Sequence, residues 1–321
     1  MVIDALYLLA GLLLLYFGAE WLVAGAAGLA RSLGMRPLII GLTVVAFGTS
    51  APELVVGIDA SIAGQGAIAL GNVVGSNIAN LGLILGLTAL ILPPAVDVQV
   101  LRREVPVLLA VTALLPLALV DGWLARWEAA VLLVLAVGYP WWMIRSARIG
   151  SLAGAAEMEE AAELAAALPP AGSRLRLALR ALFGLALLVG GGRALIEGAV
   201  GIATTAGMSP RVIGLTIVAV GTSLPELATS LIAAARGHAD IAVGNVVGSN
   251  IFNILLIGGA SAMTAPIVAP IGSVAIDLVA MGALTVFAVA AMRTRRKVDR
   301  VEGAVLVLGY VGFLTALLLG R

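Results

Sequence analysis

The chain has 321 residues, 61% apolar and 12% charged, with a formal net charge of +1 and no cysteine. Soluble domains carry about 25% charged residues, so the composition excludes an ordinary soluble domain, and the lack of thiols excludes disulfides, thiolate metal sites and cysteine nucleophiles. Several apolar runs reach the length of about 18 residues needed to cross the hydrocarbon core, which marks a polytopic membrane protein.

Ten spans are predicted in chain order: 3–30, 37–63, 67–92, 104–120, 122–144, 176–203, 210–235, 240–264, 274–292 and 301–319. The first apolar run continues far beyond a signal-peptide core and no basic segment precedes it, so a cleaved signal peptide is not expected. Trp123 and Trp127 at one end of the fifth span, and Tyr139, Trp141 and Trp142 at the other, read as interfacial anchors. Residues 145–173 form the one sizeable polar insertion: Arg145 and Arg148, then Glu157, Glu159, Glu160 and Glu163, then Pro169-Pro170. They carry no calcium-loop pattern and read as a cytoplasmic linker between two five-span units, 1–144 and 174–321.

Of 19 lysines and arginines, 15 fall on one side of this layout, among them Arg31, Arg36, Arg102, Arg103, Arg236, Arg293, Arg295, Arg296 and Lys297. The basic side faces the cytoplasm, which places both termini outside. With five spans per half, the second half enters the membrane upside down relative to the first. The expected fold is therefore all-α, ten transmembrane helices as two inverted five-helix repeats, an architecture common among secondary transporters.

The halves repeat in sequence as well. Gly41-Leu42-Thr43-Val44-Val45-Ala46-Phe47-Gly48-Thr49-Ser50-Ala51-Pro52-Glu53-Leu54 returns at 214–227 with 11 of 14 positions identical. Gly71-Asn72-Val73-Val74-Gly75-Ser76-Asn77-Ile78-Ala79-Asn80 returns at 244–253 with nine of ten identical, and both offsets are 173 residues. Each copy puts a glutamate, Glu53 or Glu226, inside an apolar span, where a carboxylate costs about 2.5–3.5 kcal/mol even on an insertion scale.

The surrounding residues explain what tolerates them. Pro52 has no N–H for the carbonyl of Gly48, so the helix should break and free carbonyls between Ala46 and Thr49. Such carbonyls at membrane depth need protein, water or an ion. Thr49 and Glu53 share a helix face, as do Asn72, Ser76 and Asn80, and the spacing recurs in Thr222 and Glu226 and in Asn245, Ser249 and Asn253. These groups are hard oxygen donors and amides, suited to calcium or sodium rather than zinc or copper. Two bidentate glutamates and the Thr49 and Thr222 carbonyls supply about six of the 6–8 oxygens that calcium takes.

These motifs resemble the alpha repeats of the calcium/cation antiporter superfamily, the sodium/calcium exchangers and in particular the small bacterial calcium/sodium antiporters. The resemblance extends over nearly the whole chain and includes the Val100-Leu101-Arg102-Arg103-Glu104-Val105-Pro106 stretch. It implies exchange of calcium for sodium across the cytoplasmic membrane at a cluster of four cation positions. By motif position Glu53 and Glu226 are the central ligands. Thr49, Ser50, Ser76, Thr222, Ser223 and Ser249 add flanking oxygens, the backbone carbonyls of Ala46 and Ala219 contribute, and Asn80 and Asn253 complete the middle. Potassium-dependent relatives carry Asp at the last motif position where this chain has Asn, which argues against potassium co-transport. Dedicated proton/calcium exchangers use a Gly-Asn-x-x-Glu type of motif that this chain lacks, so sodium is the preferred counter-ion over protons.

The bland readings differ from motif to motif. The Gly71/Gly75 and Gly244/Gly248 pairs are mainly small-residue packing positions. Glu20 and Arg193 occupy equivalent places in spans one and six; a local Arg193–Glu197 pair is the plainer expectation, and a Glu20–Arg193 link across a moving gate the sharper one. Asp59 reads as a vestibule residue, and His238, in a loop beside Arg236 and Asp240, as solvated. Rival functions are a passive cation channel, a proton-coupled calcium antiporter and an intramembrane enzyme. The last finds no support, since the single His lies in a loop and no His-Glu-x-x-His occurs. The implied partners are calcium and sodium ions and the lipid bilayer, with no nucleic acid and no resident cofactor, in a monomer or an oligomer of unspecified size.

Overall fold

The computed structural model describes residues 2–153, 173–207 and 219–319. Glu157, Glu159, Glu160, Glu163, Pro169-Pro170, Arg211, the 214–218 start of the second motif and Arg321 lie outside the described residues. The described residues are helical apart from the connecting turns, one two-residue ladder and a single bridge between Ala95 and Lys297. We label the elements α1 (Val2–Ser32), α2 (Pro37–Thr49), α3 (Ala51–Ile62), α4 (Gly66–Ile91), α5 (100–118), α6 (Arg126–Ala153), α7 (Arg174–Thr205), α8 (Ala219–Thr222), α9 (Leu224–Ala235), α10 (Ala239–Thr264), α11 (Ile271–Thr294) and α12 (Arg300–Leu318).

Among the described residues seven helices are long and apolar enough to cross a membrane, and α2 with α3, bent by 44° at Ser50, makes an eighth. The remaining two predicted spans correspond to α5 and to α8–α9, the latter continuing from residues outside the described set. The fifth span begins at Arg126 rather than 122. Trp123–Leu124 (β1) instead pairs antiparallel with Ile267–Val268 (β2), after a turn at Gly122 with φ +84°. The Glu128 carboxylate then accepts the Ala125 N–H at 2.8 Å and helps start α6.

The repeat reaches into the backbone. Ser50 (φ −81°, ψ 7°) and Ser223 (φ −90°, ψ 7°) interrupt the two motif helices in the same way. Gly34 and Gly207, and Gly64 and Gly237, end the equivalent helices with positive φ of 64°, 81°, 71° and 78°. Such angles strain any residue with a Cβ, so these glycine pairs hold the repeat's turns in register.

Burial separates the helices into an inner and an outer set. In the most apolar window of α10, 94% of residues are buried, against 22% in α1. The apolar character of α10 therefore serves the protein interior, and that of α1 serves lipid. The larger core gathers side chains of α4, α5, α6, α10, α11 and α12, including Ile78, Leu81, Leu108, Leu115, Ile251 and Met292. Tyr139 belongs to this core and gives its hydroxyl to the buried Glu104 carboxylate, so it is not an interfacial anchor. Trp123, Trp127, Trp141 and Trp142 do face outward.

A second core joins α1 to α7 and to the start of the motif helices, through Leu15, Leu22, Ala26, Ile40, Val45, Ala181 and Leu188. The α1–α7 contact is a glycine seam. Gly11, Gly18 and Gly25 recur every seven residues on α1, and Gly184, Gly191 and Gly198 do so on α7. A Cβ on Gly11 would lie 2.8 Å from the Gly191 carbonyl, and one on Gly18 2.8 Å from that of Gly184. The backbones meet with no side chain between them, as small-residue helix pairs do in membranes. Gly244 and Gly248 fill the same role against α2, where Cβ atoms would come within 3.1 Å of the Leu38 carbonyl and 2.7 Å of the Leu42 carbonyl, whereas Gly71 and Gly75, whose Cβ atoms would meet nothing within 4 Å, are not packing positions.

Gly184→Ala should lower the thermal midpoint in detergent by an amount corresponding to about 1–3 kcal/mol of overpacking, because its Cβ would press on the Gly18 carbonyl at 2.7 Å. Gly190→Ala, which meets nothing within 4 Å, should leave the midpoint unchanged or raise it slightly. Equal midpoints for the two variants would contradict the seam.

Candidate functional site

Each motif helix breaks one turn before its glutamate. Ser50 donates its N–H to the Ala46 carbonyl at 3.1 Å and its own carbonyl accepts from Leu54 at 3.1 Å. Pro52 falls between them at the start of α3, where its missing N–H costs nothing. The Ala46 carbonyl is thus less free than the sequence suggests, because it also receives the Thr49 hydroxyl at 3.4 Å. In the second copy Ser223 donates to Val220 at 3.1 Å instead, which leaves the Ala219 carbonyl without that donor.

The breaks aim the two copies at each other. Ser50 Oγ donates to Glu226 Oε1 at 3.1 Å, and Ser223 Oγ donates to Glu53 Oε1 at 3.4 Å. Each half's serine therefore holds the other half's carboxylate, a reciprocity that a local two-fold relation produces. Behind each glutamate an asparagine repeats the same bond. Asn72 Nδ2 donates to the Glu53 carbonyl at 2.8 Å, and Asn245 Nδ2 to the Glu226 carbonyl at 3.3 Å. Asn245 also donates to Ser230 Oγ at 3.1 Å and accepts the Thr49 hydroxyl on its Oδ1 at 3.2 Å. Asn77 and Asn250 each tie back to the carbonyl four residues earlier, Val73 or Val246, at 2.7 Å.

Glu53 and Glu226 are each 1% exposed. Among the described residues no lysine or arginine forms an ion pair with either. Among the described residues their second oxygens, Glu53 Oε2 and Glu226 Oε2, have no hydrogen-bond donor, and neither do Asn80 Oδ1 and Asn253 Oδ1; the Ser249 hydroxyl also lacks a partner there. Asn80 opens a π-helical turn, Ala79–Leu85, that packs on α9, and Asn253 opens another, Asn253–Gly258, that packs on α3. Widened turns of this kind concentrate at functional sites. Buried oxygens without donors cost about 1–3 kcal/mol each, more when charged, and a cation is the partner that suits them all.

The structure thus bonds Thr49, Ser50, Glu53, Ser223 and Glu226 into one cluster. Ser76, Asn80, Ser249 and Asn253 are buried on the adjoining helices, and Thr222 is half-buried. Asn72 and Asn245 act as brackets for the glutamate backbones, a role signalled by their place in the repeated Gly-Asn-Val-Val but not assigned from it. The Arg193 expectations are corrected. Arg193 and Glu197 are exposed and unpaired with each other, and Glu20 bonds Arg236 at 2.7 Å. Helix rotation decides this: Glu20 turns toward the end of α9 rather than toward α7. His238 is half-buried at the start of α10, and Asp59 is exposed.

Residues 3–145 and 177–319 each match the model of the sodium/calcium exchanger protein family. The chain belongs to this family. It is 41% identical over 317 residues to the putative antiporter CaxA of Alkalimonas amylolytica, with 98% of each chain covered. It is 33% identical to the sodium/calcium exchanger MaX1 of Methanosarcina acetivorans, again over 98% of both. Among solved structures it superposes on the sodium-calcium exchanger NCX_Mj soaked with 2.5 mM Na+ and 0.1 mM Ca2+, with a TM-score of 0.84, 30% identity and 99% of each chain covered. The chain is accordingly a multi-pass membrane protein of a cation exchanger family.

Asn245→Leu should destabilise the protein by about 2–4 kcal/mol, because it strands the Glu226 carbonyl, the Ser230 hydroxyl and Thr49 together, whereas Asn72→Leu should cost about 1–2 kcal/mol. Thermal unfolding of the two variants in detergent checks the order, and a larger loss for Asn72→Leu would contradict the asymmetry.

Proposed function

We propose that this chain exports calcium in exchange for sodium across the cytoplasmic membrane by alternating access, as a ten-span protein of two inverted repeats. The observation that carries the reading is the pair of reciprocally bonded glutamates with donor-free buried oxygens on the four motif helices. Glu53 and Glu226 together balance one divalent cation, so the loaded site adds no net charge to the membrane interior. Thr49, Thr222, Ser50, Ser223, Ser76, Ser249, Asn80 and Asn253, with the Ala46 and Ala219 carbonyls, supply neutral oxygens that serve sodium as well as calcium. The two cations then compete for one set of ligands, which is the requirement for exchange.

The reciprocal Ser–Glu bonds fit a two-fold relation between the halves, and five spans per half put that axis in the membrane plane. Helices α5 and α8–α9 complete the ten spans, five in residues 1–144 and five in 174–321, joined by the 145–173 linker on the cytoplasmic side, with both termini outside. The glycine seam makes α1 and α7 one peripheral pair, which meets the ends of α2, α9 and α10 through a small apolar core separate from the main one. That unit can shift over the fixed site without disturbing the main core, which suits alternating access.

Calcium-45 uptake into proteoliposomes loaded with sodium tests this. Uptake should require internal sodium, fail with choline or potassium inside, and vanish in Glu53→Gln and Glu226→Gln. Equal uptake driven by a pH gradient in sodium-free buffer would replace sodium with protons as the counter-ion.

A further inference from the structure

The repeat extends to the loops, where its two copies differ in charge. Trp123 pairs with Val268 in the β1–β2 ladder, and Lys297 pairs with Ala95 in an isolated bridge. Ala95 and Val268 are 173 residues apart, as in the motifs, and Trp123 and Lys297 are 174 apart. The equivalence holds bond by bond. Val96 donates its N–H to the Arg296 carbonyl at 2.7 Å, and Ala269 donates to the Gly122 carbonyl at 2.9 Å. Glu128 and Glu302 each accept the backbone N–H three residues earlier at 2.8 Å. Within this shared frame Asp121-Gly122-Trp123 becomes Arg295-Arg296-Lys297, and Trp127 becomes Val301. Gly122 has φ +84°, and Arg296 has φ +52°, the one left-handed non-glycine among the described residues. A side chain there strains the backbone, so the chain carries a cation where its own repeat shows that glycine fits.

The cationic copy borders an open cleft of about 530 Å³ lined by Pro93, Arg295, Lys297, Asp299, Arg300 and Val301. Asp299 is already engaged. Its Oδ1 accepts the Glu302 N–H at 2.9 Å as the cap of α12, and its Oδ2 stands 4.0 Å from Arg295. Lys297 and Arg300 form no ion pair among the described residues. Three cations against one carboxylate leave two positive charges in excess on the lining. A bias of basic residues toward one membrane face accounts for the side they lie on, but not for a cleft between them or for the strained Arg296. From the cleft Val301, Val305 and Leu308 run along α12 at i, i+4 and i+7, all three exposed. The cations therefore stand at the head of a lipid-facing apolar stripe.

We propose that this cleft binds an anionic phospholipid, with the phosphate held by Arg295, Lys297 and Arg300 and an acyl chain lying on Val301, Val305 and Leu308. Basic pockets between transmembrane helices take such headgroups, and guanidinium groups bond phosphate oxygens in pairs. A cleft that is cationic at its rim and continues into an exposed apolar stripe suits a lipid rather than a free anion. The other copy of the element supports the depth. Trp123 and Trp127 face outward there, as aromatic residues do at headgroup level, and Lys297 and Val301 occupy the equivalent places. The bound lipid fastens the start of α12 to the Pro93 end of α4. These helices already meet backbone to backbone, since a Cβ on Gly303 would stand 2.8 Å from the Gly86 carbonyl, and α4 carries Asn72, Ser76 and Asn80. The site stands apart from the exchange reading; only its place in the cytoplasmic leaflet rests on the proposed topology.

Thermal unfolding of the full chain in a mild uncharged detergent tests this. Short-chain phosphatidylglycerol should raise the midpoint by about 5 °C at about a hundredfold excess over its Kd, and short-chain phosphatidylcholine should not. No shift with phosphatidylglycerol, or an equal one with phosphatidylcholine, would overturn the site. Inorganic phosphate at the same concentration should give less than about half the shift; half or more would mark a free-anion site and overturn the lipid. The variant Arg295→Gln/Lys297→Gln/Arg300→Gln should lose at least about half of the phosphatidylglycerol shift. Arg102→Gln/Arg176→Gln/Arg180→Gln, which removes the same charge from exposed positions elsewhere, should keep more than that. Equal shifts in the two triple variants would overturn the assignment to this cleft. Each variant is compared with its own lipid-free midpoint, and Lys297→Gln alone, with a smaller loss of the shift, keeps the test available if the triple variant does not fold. The readout needs no transport, so loss or survival of calcium uptake in Glu53→Gln bears on the cation reading alone.

Discussion

Two carboxylates buried side by side, with no basic partner among the described residues, form the constraint on which the rest of this molecule depends. Each ionised group in an apolar interior carries a desolvation penalty of several kcal/mol, and the two repel each other. The chain meets this by breaking two helices so that Ser50 and Ser223 hold the opposite half's glutamate, and by bracketing each glutamate backbone with Asn72 or Asn245. That fixes one oxygen of each carboxylate and leaves the other free of donors. A cation binding there meets ligands already in place, and little ordering has to occur on arrival.

The same constraint divides the fold. Helices α4 and α10, which carry the motif asparagines and serines, lie deep inside, and α10 is the most enclosed of the seven long apolar helices among the described residues. The α1–α7 pair carries none of the proposed ligand residues. It is held together by backbone contact along glycines spaced every seven residues, and it rests on a small core of alanine, valine and leucine. Smooth surfaces of this kind slide more readily than interdigitated ones, so the element suited to movement is the one with the least chemistry on it. The Glu20–Arg236 pair is a polar tie between α1 and the end of α9; with Arg236 57% exposed, solvent screens it and it sets position rather than stability.

Much of this was legible in the residues. The paired Gly-Thr-Ser-x-Pro-Glu copies carried the helix breaks, since a proline four residues after a glycine removes the N–H that the next turn needs, and the breaks fall at Ser50 and Ser223. Composition and run length carried the all-helical membrane class. What sequence left open was rotation and depth. Whether Glu20 turns toward Arg193 or Arg236 depends on the facing of α1 by a fraction of a turn. Tyr139 looked like an interfacial aromatic beside Trp141 and Trp142, but the buried Glu104 draws its hydroxyl inward. The triple bonding of Asn245 depends on Ser230, one helix earlier, and on Thr49, in the other half of the chain, and the short β1–β2 ladder depends on a pairing across more than a hundred residues. The glycine pairs Gly34/Gly207 and Gly64/Gly237 show the repeat as plainly as the motifs do, once their positive φ angles are seen.

The measurement that bears most directly on the central claim is anomalous diffraction from crystals soaked with calcium or strontium. One divalent peak should lie between the motif helices, with oxygens of both Glu53 and Glu226 within about 2.3–2.6 Å in the calcium case. It should disappear when sodium is raised and strontium or calcium withdrawn. A peak held by one glutamate alone, or one elsewhere in the chain with the pair of carboxylates left unliganded, would contradict the shared site.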